Sequence, residues 1–193
     1  MKIISFEGFE YSGKSTQIKL LQNYFKKNKI KSFFTREPGG NKQLEKIRKI
    51  ILQSDFDNLS LILFFFASRF SLLSSLKNNN LVVFDRFFDS TYAYQKFTSK
   101  DKLLILNLIN QIDKQYIPNI TFYFKINKKT LIDRKKMRGQ KNYFDKKYAS
   151  HFSRIQKNYD EIGKMKIGKR KFITIDSSKP KEIIHREIVE NLK

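Results

Sequence analysis

The chain of 193 residues has no cysteine, which removes disulfides, thiolate metal sites and a cysteine nucleophile at one stroke. Histidine occurs twice, as His151 and His185, far apart and in no ligand-spacing motif, so zinc chemistry is not expected. Long apolar runs are missing too. The longest, Leu59 to Ala67, is interrupted by Ser60 and is about half the length that spans a bilayer. Met1–Phe6 runs into Glu7 at once, too short for the apolar region of a signal peptide. A soluble cytoplasmic protein with no membrane partner is the expectation. Tryptophan is absent and glycine and proline are scarce, whereas lysine, isoleucine, phenylalanine and asparagine abound. That bias follows A/T-rich codons. Acidic residues are also few, 18 against 40 basic ones, for a net charge of +22. The lysines are spread along the chain rather than gathered in one tract. Such a surface attracts anionic nucleotides and binds DNA weakly and with strong salt dependence; a functional nucleic-acid role is not expected.

Against this background one stretch carries chemistry. Gly8-Phe9-Glu10-Tyr11-Ser12-Gly13-Lys14-Ser15 matches G-x-x-x-x-G-K-[ST]. The apolar run Ile3–Phe6 precedes it and a helical pattern opens at Ser15-Thr16-Gln17-Ile18, so the motif sits between a strand and a helix. Two glycines let backbone N–H groups turn inward on a phosphate, and the helix N-terminus adds partial positive charge. Lys14 brings a full charge to the β- and γ-phosphates, and Ser15 a hydroxyl for Mg²⁺. A nucleotide phosphate is the ligand this loop predicts.

Apolar segments near 2–6, 31–35, 81–85, 120–126 and 171–175 read as strands. Helical patterns lie around 15–28, 42–53, 57–78, 101–115, 144–162 and 179–191. Their alternation predicts one α/β domain over residues 1–193, a three-layer α/β/α arrangement of the P-loop NTPase kind with a five-stranded parallel sheet. In such a sheet ligands sit outside the carboxyl ends of the strands. That places Thr35-Arg36-Glu37-Pro38-Gly39-Gly40 and Asp85-Arg86-Phe87-Phe88-Asp89-Ser90-Thr91-Tyr92-Ala93-Tyr94-Gln95 beside the phosphate loop. Asp85 is placed to hold Mg²⁺ or a water bound to it, and Arg86 to grip a transferring or accepting phosphate. The competing reading of the two is a strand-end ion pair or cap.

Taken in order, these segments, with Leu63-Phe64-Phe65-Phe66-Ala67-Ser68-Arg69, Pro118–Phe124 and Ile173–Ser178, resemble the bacterial thymidylate kinase family of nucleoside-monophosphate kinases. The resemblance spans the whole chain. It implies transfer of the ATP γ-phosphate to dTMP for dTTP synthesis, with Mg²⁺ as cofactor and a homodimer formed through the aromatic helix around 59–76. The ATP site would be Gly8 through Thr16 together with Arg134. The dTMP site would comprise Glu37, Arg48, Phe65, Arg69, Arg86, Ser90, Thr91, Tyr94 and Gln95, with Ser15 and Asp85 on the metal. Within it Arg48 would hold the dTMP phosphate. Phe65 and Arg69, four apart and so on one helix face, would stack on thymine and bond its carbonyl. Phe64 and Phe66 would then be core. A ring at Tyr94 would disfavour a 2′-hydroxyl. Phe87 stands where many relatives have tyrosine, so a hydroxyl is lost.

Lid and catalysis complete the implied scheme. A cationic lid around residues 133–144 follows the fourth strand and would close over ATP. The phosphate loop carries Glu10, and Tyr11 where some relatives place a catalytic arginine. Lys14, Arg86 and Glu10 would therefore be joined by a lid cation, Arg138 or Lys141, while Arg134 would lie against adenine. The rivals are a kinase for dUMP, another monophosphate or a deoxynucleoside, and a basic ATPase acting on nucleic acid.

Overall fold

The computed structural model describes residues 1–77, 79–138 and 149–192, without the side chains of Arg138 and Ala149. Five parallel strands form one sheet: β1 (Lys2–Gly8), β2 (Phe33–Arg36), β3 (Leu81–Asp85), β4 (Ile120–Lys125) and β5 (Lys171–Asp176), in the order β2-β3-β1-β4-β5. The central β1 pairs on both edges, with Ile4 opposite Val83 on one side and Ile120 on the other. The helices are α1 (Lys14–Lys27), α2 (Lys42–Gln53), α3 (Asn58–Ser74), α4 (Phe88–Gln95), α5 (Ser99–Asn110), α6 (Lys128–Arg138), α7 (Phe152–Gly163) and α8 (Lys181–Glu190).

Strand side chains alternate between faces, and the core divides accordingly. Ile3, Val82 and Phe84 pack with Phe66 and Leu72 of α3, Tyr92 of α4 and Ile105 and Ile109 of α5. Ile4, Phe6, Val83, Phe122, Phe124 and Ile175 face the other way, onto Leu21 and Phe25 of α1 and Ile184 and Ile188 of α8. Both faces are covered, which explains why the strands read as unbroken apolar runs. The expected three layers are present. A third cluster, with Phe9, Tyr94, Ile155 and Tyr159, ties the loop after β1 to α4 and α7 beyond the carboxyl edge of the sheet.

Two helices escaped the sequence reading as separate elements. All eight residues of α4 are buried, so it has no polar face to generate a period. α6 has the opposite fault, a mostly charged sequence, KKTLIDRKKMR, in which few apolar residues mark a face. Asn127 caps it by accepting the Thr130 N–H at 2.8 Å. Elsewhere the predicted bounds shift by a few residues. α3 stops at Ser74, and the pattern over 101–115 resolves into α5 and a short turn at Lys114–Tyr116. Of the pattern over 144–162, residues 144–148 lie outside the described residues; the rest is a turn at Ala149–His151 and then α7.

Because β1 and β3 are neighbours while their connections depart to opposite sides, a crevice opens between their carboxyl ends, where ligands bind in open α/β sheets. Backbone bonds stitch its rim. The Arg86 N–H donates to the Phe6 carbonyl at 3.0 Å, and the Glu37 N–H to the Asp85 carbonyl at 3.0 Å.

Candidate active site

The phosphate loop begins where β1 ends. At Gly8, φ is +139°, and a β-carbon there would lie 2.6 Å from the Phe124 carbonyl oxygen, so no other residue fits. Gly13, at φ +95°, turns the chain into α1, whose first turn holds no acidic residue. Thr16 and Gln17 donate their N–H groups back to the Gly13 carbonyl, both at 3.1 Å. Lys14 is folded into the loop, its ammonium donating to the Gly8 and Phe9 carbonyls at 2.7 and 3.0 Å. Burial, with Arg86 nearby, lowers its pKa to about 8. A phosphate arriving beside it would favour the charged form and raise that pKa again. Phe9 contributes backbone only; its ring is buried between Tyr94 and Phe152.

Beside the loop lies a cavity of about 590 Å³. Glu10, Tyr11, Ser12, Gly13, Lys14, Ser15 and Thr16 form one wall, and Glu37, Arg48, Phe65 and Arg69 the other. Asp85, Arg86, Ser90, Thr91, Tyr94 and Gln95 close it from the β3–α4 side. The sequence-predicted residues are thus brought together, apart from Gly8, Phe9 and the lid. Lys19 and Leu52 join the lining without having been singled out, and so do Pro38 and Phe87, which the sequence reading named without a binding role.

Two arginine–carboxylate pairs organise the space. Arg69, from α3, donates through Nε to Glu37 at 2.7 Å and through Nη2 to Thr91 at 3.0 Å. Its guanidinium lies 4.6 Å from the Phe66 ring centre and 5.2 Å from that of Phe87. Its Nη1 is buried at the cavity wall with no partner, as is Glu37 Oε1. Desolvation raises the Glu37 pKa to about 7, and the attraction of Arg69 only partly opposes it. The second pair is Arg86 and Glu10, 2.8 Å apart. The Tyr94 hydroxyl lies 2.8 Å from each Glu10 oxygen, and Arg86 Nη1 donates to Ser90 and Tyr159 hydroxyls at 3.0 and 3.3 Å. Behind them sits Glu7, fully buried, its pKa raised to about 8 by desolvation and by Asp89.

The three consecutive phenylalanines of α3 separate by direction. Successive helix residues point about 100° apart: Phe66 enters the core, Phe65 lines the cavity, and Phe64 turns outward, 39% exposed against Phe56. Phe64 is therefore not a core residue, a correction to the sequence reading. Arg48 reaches from α2 to the Pro38 carbonyl at 2.6 Å, at the cavity edge. On the far side of the phosphate loop, Arg134 of α6 donates to the Tyr11 and Ser177 carbonyls at 3.0 and 2.6 Å. The Arg138 side chain and Lys141 lie outside the described residues.

Asp85 and Ser15 face one cavity, and among the described residues no three acids or histidines gather around a point. That donor set suits Mg²⁺, which takes one or two protein oxygens and completes its shell with phosphate and water. Sequence reasoning passed over Glu7 and Tyr159. Glu7 had a signal, an acid inside a strand apolar on both faces; Tyr159 had none, since only folding carries α7 to the site.

A family model described as "Thymidylate kinase" matches residues 6–188. Among curated proteins, a thymidylate kinase of Wolbachia pipientis wMel is 33% identical over 197 residues, covering 98% of each chain. One from Onion yellows phytoplasma is 39% identical, covering 98% of this chain and 96% of its own. Among solved structures, the crystal structure of thymidylate kinase from Ehrlichia chaffeensis superimposes with a TM-score of 0.75 at 28% identity, over 99% of this chain and 97% of that one.

Proposed function

The chain belongs to the thymidylate kinase family, and we propose that the cavity above is where it transfers the γ-phosphate of ATP to dTMP, giving dTDP and ADP. ATP lies along the phosphate loop with Lys14 on its β- and γ-phosphates. Asp85 and Ser15 would hold Mg²⁺, which would neutralise phosphate charge there. Phe65 stacks on thymine while the unpartnered Nη1 of Arg69 bonds its carbonyl. That orphaned donor, at an aromatic wall, is the observation that most supports dTMP as acceptor. Thr91 and Gln95 line the nucleoside, and Tyr94 crowds the 2′ position. Arg48 and Arg86 hold the accepting phosphate, whose oxygen attacks the γ-phosphorus in line. Two anions must meet, so these cations act mainly by offsetting repulsion. Arg86 must exchange Glu10 for phosphate oxygens through Nη2 as the substrate enters, keeping Ser90 and Tyr159 on Nη1. A lid over about 133–144 closes on ATP with Arg138 or Lys141 supplying the last cation, and Arg134, anchored at the loop, lies beside adenine.

We read the molecule as a single cytoplasmic domain; among the described residues no helix is long and apolar enough to cross a membrane. A homodimer is the expected assembly. Leu59, Leu63 and Phe70 form an exposed apolar stripe on α3, a face suited to a second copy. Light scattering after chromatography should give twice the chain mass, and half of that value for Leu63→Arg. The basic surface serves to attract nucleotides.

The deciding assay is ADP and diphosphate formation from ATP and Mg²⁺ with dTMP, dUMP, UMP, dCMP, dGMP or thymidine. Conversion of dTMP well above the rest is expected. No transfer to any acceptor, with hydrolysis stimulated by DNA, would overturn the reading.

A further inference from the structure

Glu7 lies in β1 one residue before Gly8, where the phosphate loop begins, and is fully buried. A carboxylate in such a place is costly unless its oxygens are matched by donors. Here they are matched by three. Oε1 accepts the Phe87 N–H at 2.6 Å, and Oε2 accepts the Ser90 hydroxyl at 2.5 Å and that of Tyr159 at 3.3 Å. Every one of these donors belongs to a residue next to Arg86 in sequence or in contact with it. Phe87 follows Arg86 in the chain, and the Ser90 and Tyr159 oxygens accept from Arg86 Nη1.

The backbone of Arg86 makes this more than a packing detail. Its φ is +70°, in the left-handed region that a side chain disfavours. Such a residue persists only where its surroundings over-determine it. Two bonds bracket the strained unit, from its own N–H to the Phe6 carbonyl and from the next N–H to Glu7. Glu7 therefore holds Arg86 at both ends, the main chain through Phe87 and the guanidinium through Ser90 and Tyr159. An apolar side chain would fill the same volume and do neither.

We propose that Glu7 is a positioning residue for phosphoryl transfer, fixing the turn and the guanidinium direction of Arg86, with Tyr159 as relay. The inference rests on Arg86 acting at the phosphate, as set out above. Misplacing a transferring group by about 1 Å can cost on the order of 100-fold in rate.

The test is a cycle of Glu7→Ala, Arg86→Ala and the double variant, with Glu7→Gln as conservative control. kcat and the KM for dTMP and for ATP are measured on protein whose melting curve is recorded. Glu7→Ala should lose about 100-fold in kcat with both KM values moving less than about threefold, and Glu7→Gln should stay within about fivefold of wild type. The double variant should be no slower than Arg86→Ala alone, because residues acting as a unit are not additive. Losses that multiply, or an undiminished Glu7→Ala, overturn the inference. If Glu7→Ala does not fold, Tyr159→Phe reads the same link. It should lower kcat about tenfold beside Arg86 and not at all beside Arg86→Ala; equal losses in both backgrounds overturn the inference. Arg86→Ala with full kcat removes the reading of Arg86 and this inference with it. Slow Arg86→Ala with fast Glu7→Ala removes this inference alone.

Discussion

Two arginine–carboxylate pairs face the same cavity under opposite conditions. Arg69 and Glu37 are 2% and 5% exposed, whereas Arg86 and Glu10 are 21% and 20% exposed. In the first pair the geometry is held by Thr91, two aromatic rings and burial. The Arg69 Nη1 is left buried without a partner. In the second the partners are exchangeable, because water can replace whatever a phosphate displaces. Burial thus separates two pairs that both use a guanidinium, one sealed and one open to solvent.

The contrast breaks most sharply at the shared phosphate loop. Lys14→Ala should lower kcat by about 1,000-fold or more. No fall in Tm should accompany the loss, since the buried ammonium is held below its ordinary pKa and gives the fold nothing at neutral pH. A coupled ADP assay and a melting curve check both parts. Arg86→Ala should come next, with kcat down about 100-fold or more and stability within about 1 kcal/mol of wild type, as its partner can be rehydrated. Arg69→Ala should behave the other way. It leaves Glu37 buried and alone, so denaturation should register a loss of about 3 kcal/mol. The KM for dTMP should rise far more than that for ATP. Equal changes in the two KM values would argue against a base-reading role.

A pH series sharpens the same comparison. Glu37 is raised from 4.5 to about 7 in the folded state. The folded state therefore holds this proton more tightly than the unfolded chain. Its contribution to stability is full below about pH 4.5 and is lost as pH rises through about 7, by up to about 1.4 kcal/mol per pH unit. Glu37→Gln should make the fall in unfolding free energy across that window shallower, leaving the part that buried Glu7 contributes. The smallest effect is expected for Tyr94→Phe, which removes one hydroxyl from the exchangeable pair: kcat/KM for dTMP should change by no more than about tenfold. A change larger than that of Arg86→Ala would mean that the two pairs are not separable.

Much of the site was legible because its signals are local. The spacing of Gly8, Gly13, Lys14 and Ser15 is a backbone requirement, and Thr35–Gly40 and Asp85–Gln95 announce themselves as charged clusters behind apolar strands. Phe65 was picked from three phenylalanines by the family resemblance, with its spacing from Arg69 in support; that Phe64 faces outward was not visible, since residue type says nothing of which side of α3 the sheet will cover. α4 was hidden by complete burial and α6 by its charge, two ways of losing a 3.6-residue period.

By itself the sequence determined the alternation of strands and helices, the phosphate loop and the sign of the surface, because backbone sterics, periodicity and charge need no neighbours. Tertiary structure decided which carboxylate meets which arginine. Glu7, Glu10 and Glu37 are the same amino acid, yet one is walled in behind Arg86, one shares solvent with it and one is sealed against Arg69. Strand order and the depth of each position below the surface set those distances and dielectric surroundings, and from them come the unpartnered N–H of Arg69 and the raised pKa of Glu37.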